Sequence, residues 1–167
     1  AAVYQLHVLA GRHLLHEHPA GATSWSHPTM SKLLATSGVS AVVAHQCAFG
    51  LQTTTHAGVQ APVLKPTRFM SSAPAVLEAL SRRCTGGHAH APLIGGTRAR
   101  DAAVYPPGLC KAIVQGAEEQ PRRDERALHA PGLHAVRGPA ASTAAHPALI
   151  HSRRLRPTAR RTPPQTA

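Results

Sequence analysis

The sequence predicts an α/β segment over residues 1–116, followed by an arginine- and proline-rich tail over 117–167 that is expected to stay disordered. Three observations point there. Apolar residues recur at helical spacing in several short windows, one window is a β-branched run, and the periodicity ends after Gly116. Seven prolines (121, 131, 139, 147, 157, 163 and 164) interrupt every later window, and Phe, Trp and Tyr are absent from it. Such a segment buries too little apolar area to offset its chain entropy.

The elements follow in order. Val3, Leu6, Leu9 and Ala10 are spaced as on a helix, and Gly11 fits the position just past its end. His13-Leu14-Leu15-His16 reads as a short buried strand running into a loop at Glu17-His18-Pro19-Ala20-Gly21. Pro28 opens a second helix through Met30, Leu33 and Leu34 that stops at Gly38. Val39–Ala44 is the clearest strand and is apolar almost throughout, as expected for a strand covered on both faces. Phe49 and Leu51 continue extended character around Gly50, and Thr55–Gly58 is a turn. Val63–Met70 reads as a return strand, with Pro66 placing it at an edge or bulge. Pro74, Val76, Leu77 and Leu80 give a third helix. Thr85–Gly96 is a loop rich in Gly and His, and Pro106-Pro107 opens a last helix ending at Gly116. This order favours a mostly parallel sheet ending in a hairpin. Two or three strands are few for a sheet covered on both sides, so the segment is expected to be part of a larger domain.

Net charge is +11. Residues 1–116 hold nine Lys or Arg against three acids (Glu17, Glu78, Asp101), and residues 117–167 hold nine Arg against four acids. A chain so charged associates with polyanions at low salt. Arg153, Arg154, Arg156, Arg160 and Arg161 form a terminal cluster suited to nonspecific phosphate contacts, without aromatics for base stacking. Composition alone also produces such a tail without selection for binding. No stretch approaches the roughly 20 apolar residues of a membrane span, so no membrane partner is expected. No basic region, apolar run and cleavage site stand at the N-terminus, and the cysteines (Cys47, Cys84, Cys110) are odd in number and widely spaced. Both features fit an intracellular, nuclear or cytoplasmic protein rather than a secreted one.

Cys84-x3-His88-x-His90 brings three metal-ligating side chains into one loop. Zinc takes four ligands, tetrahedrally, from Cys and His. Cys47 supplies the fourth only if the fold brings it near, and the alternative is a surface loop with incidental histidines. The Gly pairs 86–87 and 95–96 lack the context of nucleotide-binding loops, and Ser24 and Ser26 lack a nucleophile elbow.

The motifs Gly-Arg-His-Leu-Leu-His-Glu-His-Pro (11–19), Ala-Thr-Ser-Trp (22–25), His-Gln-Cys-Ala-Phe-Gly (45–50), Lys-Pro-Thr-Arg-Phe (65–69), Cys84…His88-x-His90 and Tyr-Pro-Pro-Gly-Leu-Cys-Lys-Ala-Ile (105–113) occur in that order. This set resembles a segment of copia-like retrotransposon polyproteins and related mobile-element reading frames, which in turn is similar to the C-terminal half of a DNA cytosine-5 methyltransferase domain. The resemblance implies a partial Rossmann-like, methyltransferase-like half domain that would partner with a missing N-terminal half. It implies that Glu17 is a vestigial base-binding carboxylate and that Lys65 and Arg68 are basic residues near nucleic acid. The family's Pro-Cys nucleophile loop and Gly-rich S-adenosylmethionine loop are not in this chain, so no cofactor and no methyl transfer are expected of it alone. Two further readings follow from the residues: a nonspecific nucleic-acid-binding protein acting through the basic tail, and a small zinc-binding module.

Overall fold

A computed structural model describes residues 2–94 and 98–130, which form a mixed α/β fold with small antiparallel sheets. The elements are α1 (Ala2–Leu9), β1 (Leu15–Pro19), α2 (Pro28–Leu34), β2 (Ser40–His45), β3 (Gln52–Thr54), β4 (Gln60–Pro62), β5 (Pro66–Ser71), α3 (Pro74–Leu80), α4 (Arg98–Asp101) and α5 (Pro107–His129). Two short 3-10 turns, Thr23–Ser26 and Gln46–Phe49, precede α2 and follow β2.

The main sheet runs β1-β5-β2, and a separate hairpin pairs β3 with β4. Every strand pair is antiparallel, which overturns the mostly parallel arrangement expected from the element order. An apolar run marks a strand without saying in which direction its partner runs. The middle strand is β5, expected at an edge because of Pro66. Proline is tolerated there because it is the first residue of the strand, where its missing N–H breaks no ladder bond. Conversely β2, read as covered on both faces, lies at an edge and fully buries only Ala44. Glu17, expected in a loop, sits within β1 opposite Phe69.

The two faces of the sheet build two cores. On one face Phe69 and Ala44 pack against Val76, Leu77 and Leu80 of α3 and Leu109 and Ala112 of α5. On the other, Met70, Val39 and Leu14 pack with Leu33 of α2, flanked by Tyr4, Val8 and Trp25. Thus α1 turns Tyr4 and Val8 inward and leaves the expected apolar stripe of Val3, Leu6 and Leu9 exposed. A third cluster joins Leu51, Val63 and Ala102 near the hairpin.

The last helix departs most from expectation. Instead of ending at Gly116 it continues through Pro121 to His129, so the boundary drawn at residue 116 falls inside a helix. Gly116 is an interior packing position: a Cβ there would lie 2.6 Å from Val76 Cα. Beyond it, tertiary contacts offset the helix bond that Pro121 removes. Buried Gln120 accepts the Ala75 N–H at 2.8 Å and donates to Asp124 at 2.8 Å. Arg123 pairs with Glu78 of α3, and His13 bridges Asp124 and the Ser72 carbonyl, each at 2.9 Å. Residues 131–167, including Arg153, Arg154, Arg156, Arg160 and Arg161, lie outside the described residues.

His16 shares a hydrogen bond with the Tyr4 hydroxyl at 3.1 Å and meets the Tyr4 and Trp25 rings edge-on. Burial, reinforced by the neighbouring His18, holds it below its ordinary 6.5. The unfolded chain therefore binds this proton first on acidification. Stability is expected to fall as pH drops from 6.5 through the depressed folded value. His16→Phe, which keeps the ring packing, should flatten that part of the profile when urea midpoints are compared at pH values on either side. An unchanged slope in the variant would contradict this assignment.

Candidate metal centre

The turn after β2 and the loop after α3 meet at four side chains. Cys47 lies on the 3-10 turn Gln46–Phe49, which closes with Gly50 in the left-handed region at φ 89°. Cys84, His88 and His90 come from the irregular segment that follows α3, where Gly86 and Gly87 take φ values of 83° and 78° and fold the chain back on itself. Glycine adopts that conformation without the Cβ penalty other residues bear. The four ligand atoms all lie within 4.8 Å of one another. Cys84 Sγ is 3.5 Å from His88 Nε2 and 3.4 Å from His90 Nε2, and the two Nε2 atoms are 3.0 Å apart. A tetrahedral ion with ordinary Zn–S and Zn–N bonds needs edges of about 3.6 Å between S and N and about 3.3 Å between nitrogens. This Cys/His cluster therefore has the composition and spacing to hold a metal ion. Cys47, conditional in the sequence, completes the set.

The surroundings hold the loop in place. The Gly86 N–H donates to Cys84 Sγ at 3.4 Å. His45 Nδ1 accepts the Cys84 N–H at 3.1 Å, and the Arg83 guanidinium lies 3.4 Å from His45 Nε2. Burial, then Arg83 and His90, hold His45 below its ordinary value. Outside the cluster, the His45 N–H donates to Arg82 O at 3.0 Å, and Ala91 N–H to Pro62 O at 2.8 Å, tying both ends of the loop to β2 and β4. Arg82 lies over the Phe49 ring, 5.2 Å from its centroid. Without a cation, burial pushes the Cys47 thiol up, reinforced by its hydrogen bond to Cys84 and by the Cys84 charge. A bound cation would reverse that balance by stabilising both thiolates.

The residues expected from the family resemblance assemble differently. Glu17 stands beside Tyr105, whose phenol is pushed up first by burial and then by that carboxylate. Lys65 Nζ lies 5.9 Å above the same ring and donates to Ala102 O at 2.6 Å. Lys65 also takes φ 31°, the one positive φ among the described non-glycine residues. Arg68 lies on the opposite face of β5 from Phe69, over Trp25 at 5.1 Å. Glu17 and Lys65 thus meet around Tyr105, and Arg68 stands apart from them. Tyr105 was missed because nothing in the local pattern of a Tyr-Pro-Pro turn marks its contact with a strand near the N-terminus. No helix among the described residues is long and apolar enough to cross a membrane. No protein-family model matches the chain, and no curated protein or solved structure matches it.

Proposed function

We propose that this chain is a small zinc-binding module in which Cys47, Cys84, His88 and His90 hold a structural Zn²⁺. The observation that carries the reading is the convergence of four Cys and His ligand atoms, from segments far apart in sequence, within 4.8 Å. Two thiolates and two imidazoles are a common zinc set, and four protein ligands leave no open position for a substrate or an activated water. The ion's task is then mechanical. The segment from Ser81 to Ile94 has no helix or strand of its own and exposes Arg82, Arg83 and most of its length. Pinning Cys84, His88 and His90 to the turn carrying Cys47 ties the end of α3 to the end of β2.

The test is metal content after purification without chelator or nickel resin. The protein should carry one zinc per chain. Cys47→Ala should lower that to well below stoichiometric, whereas Cys110→Ala, on the exposed face of α5, should leave it unchanged. Equal zinc in the wild type and in Cys47→Ala would mean that scattered histidines bind the metal, and the reading would fail.

A further inference from the structure

The sheet β1-β5-β2 has two outer edges, and they differ in chemistry. The direction of the backbone groups follows from two bonds. The His45 N–H donates to Arg82 O, away from β5, where Pro66 opposite has no N–H to exchange. Antiparallel ladders alternate, so Val43 and Ala41 also point their N–H and C=O groups outward, and Ser40, Val42 and Ala44 pair with β5. On the other edge Ala20 N–H donates to Pro66 O, so His18 and His16 pair inward and Leu15, Glu17 and Pro19 point outward. That edge is blunted: Pro19 has no N–H, and Glu17 places a carboxylate on the strand. Natural sheets protect their edges by such devices.

The β2 edge has neither. Ala41 and Val43 are uncharged and half-exposed. Beside them lies a groove of about 630 Å³ whose walls include Leu34, Ser81, Arg68 and Arg83, with no acidic residue among its lining. The chain begins to pair with this edge at Arg82 and then turns away at Cys84 into the candidate metal loop, and no other described residue pairs beside Val43 and Ala41.

We propose that the outer edge of β2 is a docking site for an extended acidic segment of a partner chain. That segment adds as a strand beside Ala41 and Val43 and places carboxylates against Arg68 and Arg83. Main-chain bonds supply affinity in strand addition and the alternating side chains supply selectivity. A row of outward peptide groups favours a peptide over a phosphate backbone, which offers no N–H donors in register. A second copy of this chain would bring two more arginines to the same groove, so charge opposes self-pairing. The proposal does not depend on zinc.

The probe is a capped peptide of about eight residues alternating Val and Glu, the length of an ordinary strand. Its controls are the Val/Lys counterpart and an oligothymidylate. Amide hydrogen exchange of the full chain is read by NMR. With the Glu peptide at about ten times its Kd, exchange at Ala41 and Val43 should slow about tenfold, and the Lys peptide should have no effect. In Arg83→Glu, an exposed position, the preference for Glu over Lys peptide should weaken or reverse. The proposal fails if the Glu peptide leaves both amides unprotected, or if Arg83→Glu binds it unchanged. It also fails if oligothymidylate protects these amides instead, which would make the groove a nucleic-acid site, or if both are already protected in a dimer.

Discussion

Removing the metal is expected to destabilise the domain more than any single core truncation. A ligand present at about a thousand times its Kd contributes about 4 kcal/mol, and structural zinc bound by Cys and His exceeds that. For a domain of this size such a loss corresponds to a drop in Tm of about 10–20 °C. Thermal unfolding of the zinc-loaded protein with and without EDTA should show it, and added zinc should restore the original value. Cys84→Ser should start from the low value and respond to neither reagent. The physical reason lies in the loop. Its backbone is held at His45–Arg82 and at Ala91–Pro62, and the residues between carry few buried apolar groups. An unchanged Tm in EDTA would mean that these backbone bonds hold the loop without the ion.

The second large effect belongs to Gly116. In an exposed helix interior Gly→Ala stabilises by about 1 kcal/mol. Here the added methyl would meet Val76 Cα at 2.6 Å and Ala75 O at 3.0 Å, both backbone atoms that cannot rotate aside. Helices α3 and α5 must separate, and overpacking of this kind costs about 1–3 kcal/mol. Gly116→Ala is therefore expected to lose stability despite its better helix propensity, and Gly116→Leu to lose more. Gln115→Ala, on the exposed side of the same turn, should stay within about 0.5 kcal/mol of wild type. Urea unfolding of the three variants checks this. A stabilised Gly116→Ala would show that the helices are not in backbone contact. Gly108 makes a similar approach, since a Cβ there would lie 2.4 Å from Phe49 O in the turn that carries Cys47.

Local chemistry was readable in the sequence, and pairing was not. Prolines at the starts of α2 and α3 and the β-branched run of β2 announced those elements correctly, because each signal acts within a few residues. The sheet's antiparallel order and the central place of β5 depend on which strands meet, and no local pattern carries that. The end of α5 was misread because Gly116 and Pro121 normally stop a helix. Gln120, Arg123 and Asp124 override them through contacts with α3 and His13, which only the tertiary structure supplies. The proposed metal centre divides the same way. Cys84, His88 and His90 share one loop and were legible as a group. Cys47 precedes Cys84 by a strand hairpin, β5 and α3, and its place in the site became visible only once β2 and α3 were seen to end side by side.

X-ray absorption at the zinc edge, on protein purified with its native metal, tests the zinc centre most directly. The proposed centre predicts two sulfur neighbours at about 2.3 Å and two nitrogen neighbours at about 2.0–2.1 Å. Loss of one sulfur in Cys47→Ala would assign the residue that joins the turn to the loop. A first shell of nitrogen and oxygen alone would show metal resting on surface histidines, and the proposed centre would not exist.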